Sequence, residues 1–113
     1  MELMQEKVEE VIVIPVPLET LEAANAQEFK RQFLVAVEGA GKVVLDMSKV
    51  QFIDSMGCAV ILECLRSLGE SNGDMKLCCL TQRVRALFEL TRLHRVIELF
   101  NDREEAIRAF AAS

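Results

Sequence analysis

The chain alternates between short aliphatic runs and longer segments in which apolar residues return every three or four positions. Val11, Ile12, Val13 and Ile14 mark a strand over Glu10 to Val16, because β-branched side chains suit a pleated, covered surface. Pro15 has no N–H to give to a ladder, so the strand ends there or that position faces outward. Glu2 to Lys7 has the pattern of a weak edge strand, and Pro17 to Ala24 reads as a connection. Ala26, Phe29, Phe33 and Val37 then recur at helical spacing with Lys30, Arg31 and Glu38 opposite, and Gly39 and Gly41 end that helix.

Lys42 to Leu68 is the centre of the pattern. Val43, Val44 and Leu45 run into Asp46 as a strand covered on both faces does. After a short loop, an almost wholly apolar helix starts at Ser55 and is closed by Ser71-Asn72-Gly73. Ser55 stands where a hydroxyl can accept a hydrogen bond from an unpaired first-turn N–H. Gly57 leaves that turn without a side chain, so another backbone can come close. Glu63, Arg66, Ser67 and Glu70 form a polar stripe, which carries back through Ala59 and Met56. At about 100° per residue, Met56 lies within roughly 20° of Glu63, whereas Ile61, Leu62 and Leu65 lie well off the stripe. Met56 is therefore expected to be exposed beside Ser55, and a long, adaptable thioether left in water suits a binding surface.

The remainder continues the alternation. Met75 to Leu80 is an apolar strand, and Thr81 caps a helix with Val84, Leu87, Phe88 and Thr91 on one face, ending near Arg92. Val96 to Phe100 is a short last strand. Asp102 and Glu105 have N-cap and N3 spacing before a final helix that packs Ala106, Ile107 and Phe110. Strands alternating with helices imply right-handed crossovers, and hence an α/β fold with a mainly parallel sheet. No repeat or low-complexity linker breaks the order, so residues 1–113 read as a single domain.

Composition removes several classes of function. The net charge is −5, from 18 acidic and 13 basic residues, which disfavours binding nucleic acid by neutralising phosphates. No apolar run approaches the roughly 20 residues of a membrane span, and MELMQEKVEE lacks a signal peptide's basic and apolar regions. A cytoplasmic protein is expected. The four cysteines contain no CxxC pair: Cys58 and Cys64 are six apart, and Cys78 and Cys79 are adjacent. They read as small core hydrophobes in a reducing compartment, and Cys78 and Cys79, as strand neighbours, should point to opposite faces.

Catalytic chemistry has no support. The single histidine, His94, lies in the Arg92–Arg95 connection, no GxSxG elbow surrounds Ser55, and Gly39 and Gly41 follow a helix, the reverse of the phosphate-loop order. An enzyme is not expected, and no metal or other cofactor is implied. Arg83, Arg85, Arg92 and Arg95 read as a solvated basic face, open to an acidic partner.

LDMSKVQFIDSMG with its following helix resembles the signature of the STAS-domain anti-sigma-factor antagonists, in which LDLS leads to FIDSSG and the serine of a DSxG motif is phosphorylated. RVRALFELTRLHRVIELFNDREEAI is similar to the family's RVRRVLELTGLDRVF with its acidic last helix, and LEAANAQEF to the segment around its first helix. The family's G-E-L-D is here Glu19-Thr20-Leu21-Glu22, and Met56 and Cys58 replace a small residue and a leucine. The resemblance implies a STAS fold, a mainly parallel sheet of about four to five strands with about four helices. It also implies a bacterial regulator of transcription that works by partner switching. The unphosphorylated form would bind a serine-kinase anti-sigma factor through Ser55, Met56, Gly57 and the adjoining Asp54 and Ala59, freeing a sigma factor. Phosphorylation of Ser55 would weaken the complex, and a PP2C-like phosphatase would reset it. Glu22 stands where the family has an acidic partner contact; it is equally a helix-start acid favoured by the dipole. The alternative use of the same face is a constitutive STAS scaffold or accessory subunit of a transport or signalling complex, without phosphorylation.

Overall fold

The computed structural model describes residues 1–111. Its elements run Glu6–Val8 (β1), Val11–Pro15 (β2), Thr20–Leu21 (β3), Ala26–Ala36 (α1), Lys42–Asp46 (β4), Phe52–Ile53 (β5), Ser55–Glu70 (α2), Asp74–Cys78 (β6), Gln82–Leu90 (α3), a 3-10 turn at Leu93–Arg95, Leu99–Phe100 (β7) and Arg103–Ala111 (α4). Five strands form one sheet in the order β1-β2-β4-β6-β7, and β3 and β5 form a separate small pair. Only β1 runs antiparallel, to β2; β2, β4, β6 and β7 are parallel.

Period-two alternation explains the layers. Ile14, Val43, Leu45, Met75 and Leu77 point to the face covered by α1, α2 and α3, where they meet Phe29, Phe33, Val60, Ile61, Val84 and Phe88. Val11, Val13, Val44 and Cys78 point to the opposite face and meet Ala106 and Phe110 of α4. The central strands are therefore apolar on both faces, as a parallel sheet between helical layers requires. Of the expected helix faces, Ala26, Phe29, Phe33 and Val37 are buried, as are Val84 and Phe88, whereas Leu87 is half-buried and Thr91, just past the end of α3, is exposed. Pro15 is the last residue of β2, paired in register with Asp46.

Two charged residues lie among the apolar ones on the α4 face, and each is held. The Lys76 ammonium pairs with Glu98, approaches Asp74 at 3.5 Å and lies 4.6 Å from the Phe110 ring centroid. Asp46 Oδ2 accepts from Arg103 Nε at 2.7 Å, and its Oδ1 accepts from the Ser48 N–H at 2.9 Å. Burial pushes the Asp46 carboxyl up, but the Ser48 N–H and the Arg103 guanidinium together outweigh it and hold the group below its ordinary range. Arg103 also reaches Glu6 at 3.3 Å, so one side chain at the start of α4 ties β4 to β1.

Several expected boundaries shift. The edge strand is Glu6–Val8, not Glu2 to Lys7. The Pro17 to Ala24 connection contains β3, a two-residue strand too short to carry a periodic signal. The last strand shrinks to Leu99–Phe100, because residues 93–95 coil into a 3-10 turn and Val96 is exposed. Helix α3 stops at Leu90, with Arg92 left-handed at φ 63°. Strand β6 stops at Cys78, because Cys79 is also left-handed at φ 63°. The alternation that would have placed Cys78 and Cys79 on opposite faces ends there, and their Sγ atoms lie 3.5 Å apart.

Arg103→Ala should lower stability by about 1–3 kcal/mol, the cost of stripping a buried acceptor of its partner. The lower end is expected, since the Arg103 side chain is 38% exposed and water can reach the vacated position. Urea unfolding measures it. In the Arg103→Ala background, Asp46→Asn should cost less than it does alone, and equal costs in both backgrounds would show that the pair contributes nothing.

Candidate functional site

Asp54 organises the start of α2. Its backbone is extended (φ −108°, ψ −174°), and its Oδ1 accepts from the Gly57 N–H at 2.9 Å. Oδ2 accepts from the Ala23 N–H at 3.1 Å, across 31 residues of sequence. The Gly57 N–H is the main reason that the Asp54 carboxyl sits below its ordinary range; partial burial opposes it and the Ala23 N–H adds to it. Asp54 is thus the N-cap and Ser55 the first helical residue, a correction to the reading of Ser55 as the cap. The physical reason is local. A carboxylate caps as well as a hydroxyl and does so with a charge-assisted bond, so Asp takes the role when the two are adjacent.

Gly57 explains how the site is assembled. It is buried, and a Cβ there would lie 2.2 Å from the Leu21 carbonyl oxygen and 2.6 Å from Ile53 Cγ1. The close backbone expected at this glycine is the chain's own β3. Gly57 therefore sets spacing within the site and presents no surface of its own. The contact continues through the register Thr20↔Phe52 and Leu21↔Ile53, and through the Gln51 N–H donating to the Glu19 carbonyl at 2.7 Å. Ala23, and with it the adjoining Glu22, is thereby brought to Asp54.

Asn25 locks that loop, a role its sequence pattern does not mark. Its Oδ1 accepts from the Glu22 N–H at 3.0 Å, and its Nδ2 donates to the Thr20 carbonyl at 2.8 Å. An Asn just before a periodic segment is the available signal, but it predicts a helix cap, and Asn25 makes no cap bond. Glu22 is half-buried, and its carbonyl accepts from the Ala26 N–H at 2.8 Å.

Ser55 is exposed, and Met56 is exposed as its helical phase predicts, at 40%. Asp54 and Ala59 are half-buried. Among the described residues the Ser55 hydroxyl makes no hydrogen bond. The polar stripe leads away from the site towards α1, where Glu63 accepts from Lys30 at 2.6 Å. Ser55 lies on the rim of an apolar groove of about 360 Å³ between α2 and α3, lined by Ile53, Cys58, Ala59, Leu62, Leu87 and Leu93. A second groove of about 310 Å³ shares Ile53 and Leu87 with it and extends to Phe52 and Leu90. Phe52 is 45% exposed and Leu90 82% exposed. Phe52 faces outward because its β5 neighbour Ile53 faces inward; Leu90 falls outside the α3 face that the periodicity marked.

The arrangement offers an exposed hydroxyl beside an apolar surface. His94 is exposed in the 3-10 turn, with Nδ1 3.4 Å from the Phe88 carbonyl. No helix of the described residues is long and apolar enough to cross a membrane.

A family model for the STAS domain matches residues 2–106. A Bordetella bronchiseptica protein described as an anti-sigma factor antagonist, BtrV, is 33% identical over 89 residues, which is 78% of this chain and 77% of that one. A Thermotoga maritima protein similarly described is 31% identical over 105 residues, covering 89% and 91%. The crystal structure of a Thermotoga maritima anti-sigma factor antagonist superposes with a TM-score of 0.85 at 28% identity, covering 95% of this chain and 92% of that one. The phosphorylated form of the Bacillus cell-fate determinant SpoIIAA superposes with a TM-score of 0.68 over 96% and 98%, a likeness of fold at 22% identity. From the match across nearly its whole length, and from the fold and site that accompany it, the chain belongs to the STAS domain family.

Proposed function

We propose that this chain is an anti-sigma factor antagonist that acts by partner switching in the bacterial cytoplasm. The observation that carries the reading is the placement of Ser55: an exposed hydroxyl at the first position of α2, on the rim of an apolar groove, with the helix start capped by a different residue. The relatives described as anti-sigma factor antagonists support the general role.

In this reading the unphosphorylated chain docks on a serine-kinase anti-sigma factor, which releases its sigma factor. Met56, Asp54, Ala59 and Glu22 surround Ser55 in the contact, with Gly57 holding the turn in place, and the groove at Ile53 and Leu87 extends the surface. The partner supplies all catalytic groups. It transfers the γ-phosphoryl group of ATP to Ser55 Oγ, the hydroxyl proton leaves, and ADP departs. The product carries about −1.5 to −2 charges at neutral pH. A helix N-terminus tolerates an anion, so α2 stays folded. The neighbouring Asp54 carboxylate and the newly charged groove rim oppose re-docking. A PP2C-like phosphatase hydrolyses the phosphoester and restores the docking form. A constitutive scaffold would use the same surface without this chemistry, and the experiments below separate the two.

Incubation with the cognate serine kinase and ATP, followed by mass spectrometry, should place one phosphate on Ser55. Modification at Ser48, Ser67 or Ser71 instead would remove the basis of the reading. Ser55→Ala should bind the kinase as wild type does. Ser55→Glu should bind at least about tenfold more weakly, equivalent to about 1.4 kcal/mol. Equal affinities by calorimetry would favour the scaffold.

Met56→Ala tests the docking surface independently of phosphorylation. An exposed truncation changes stability by less than about 0.5 kcal/mol, whereas removing a central interface contact costs more than about 1 kcal/mol of binding. The variant should keep its Tm and lose several-fold in kinase affinity. Unchanged binding would place the interface elsewhere.

A further inference from the structure

The end of β6 carries a second cluster of chemical groups, none of which lines the Ser55 groove. Cys79 is a non-glycine residue at φ 63°, a conformation that a side chain resists and that persists only where its surroundings fix it. Here both flanks are fixed. The Cys79 N–H donates to the Phe100 carbonyl at 3.1 Å, and the Cys78 carbonyl accepts from the Met47 N–H at 2.9 Å. The turn brings the two Sγ atoms to 3.5 Å. One carboxylate oxygen of Asp46 and the two sulfurs all lie within 4.8 Å of one another.

We propose that Cys78, Cys79 and Asp46 form a binding site for one thiophilic divalent cation of the Zn²⁺ or Cd²⁺ type. Spacing, ligand type and charge each favour it. Zn–S bonds of about 2.3 Å in tetrahedral geometry place two sulfurs roughly 3.8 Å apart, so the thiols are within a small movement of a chelating pair. A disulfide fits less well: adjacent residues hold their Cα atoms about 3.8 Å apart, short of the roughly 4.4–6.8 Å that a relaxed disulfide spans. Two sulfurs with one oxygen suit a borderline-soft ion better than Mg²⁺ or Ca²⁺.

The charge closes without a new partner. Arg103 already neutralises Asp46. A divalent cation replaces two thiol protons, which leave to solvent, so the buried cluster has the same net charge loaded or empty. Cys78 and Asp46 are buried and Cys79 is half-buried, so the ion enters beside Cys79 and a fourth position stays open to water. The Ser48 N–H and Arg103 Nε hold the two carboxylate oxygens, as groups behind metal ligands commonly do. CxxC spacing, the usual signature, is absent because a left-handed residue, in place of two intervening ones, turns the second thiol back onto the first.

Titration of the reduced full chain with Cd²⁺, followed by sulfur-to-cadmium charge-transfer absorption, tests the site. One equivalent should saturate the band, Zn²⁺ should displace it, and Tm should rise with added metal. Cys58→Ser should leave the band unchanged. Cys79→Gly suits φ 63° better than cysteine does, so this variant should match or exceed the wild-type Tm without metal while losing the band and at least tenfold in Cd²⁺ affinity. If it does not fold, Cys79→Asn, which also tolerates the left-handed region, serves in its place. Absence of the band in wild type, or its persistence at one equivalent in the folded Cys79 variant, would overturn the assignment.

Discussion

The Leu21 carbonyl oxygen occupies the place where a side chain at residue 57 would begin, 2.2 Å from any Cβ built there. The rest of the site depends on that approach. With a methyl group at 57, β3 would have to withdraw from α2, at the cost of about 1–3 kcal/mol typical of forced overpacking. The pairing with β5 would loosen, and the Ala23 N–H would move away from the Asp54 carboxylate. One side-chain-free position therefore holds together segments more than thirty residues apart, and Asp54 fastens them by bonding the helix turn with one oxygen and the distant loop with the other.

The sheet makes this placement rigid. β4 lies between β2 and β6 and is apolar on both faces, with Val43 and Leu45 against α1 and α2, and Val44 against α4. Its last residue, Asp46, begins the loop to β5 and Ser55, and its carboxylate is held by the first residue of α4. Polar chemistry gathers at the carboxyl ends of the parallel strands, the usual place for function in an α/β sheet. The apolar residues of β2 and β4, with Met75 and Leu77 of β6, supply packing energy that the strained and charged positions do not.

Much of this is legible in the sequence because the signals are periodic. Four residues at helical spacing located α1, a β-branched run located β4, and helical phase alone put Met56 in solvent. Legibility fails where the determining contact is non-local or the element is too short for a period. β3 and β5 have two residues each and exist only because they pair with one another. Asn25 looks like a cap and instead buttresses a loop. Cys79 follows an apolar strand and carries no glycine to announce a left-handed turn, so alternation extended past its end. Phe52 and Leu90, the exposed apolar residues of the second groove, are marked by where the neighbouring elements fold and not by their own segments.

Capping of α2 by Asp54 in place of Ser55 changes how the proposed switch would operate. Had Ser55 been the N-cap, its hydroxyl would be committed to a backbone N–H, and modification would disturb the bond that starts the helix, worth about 0.5–2 kcal/mol. With Asp54 as cap, that bond does not involve Ser55 at all. The hydroxyl is then free to be presented to another protein, and a phosphate added to it meets the positive end of α2 on one side and the Asp54 carboxylate on the other. The first contact tolerates the new charge within the fold and the second sets a like charge at the docking surface. A cap one residue earlier thus separates helix stability from surface charge, which is what a reversible change of partner requires of a domain that must stay folded in both states.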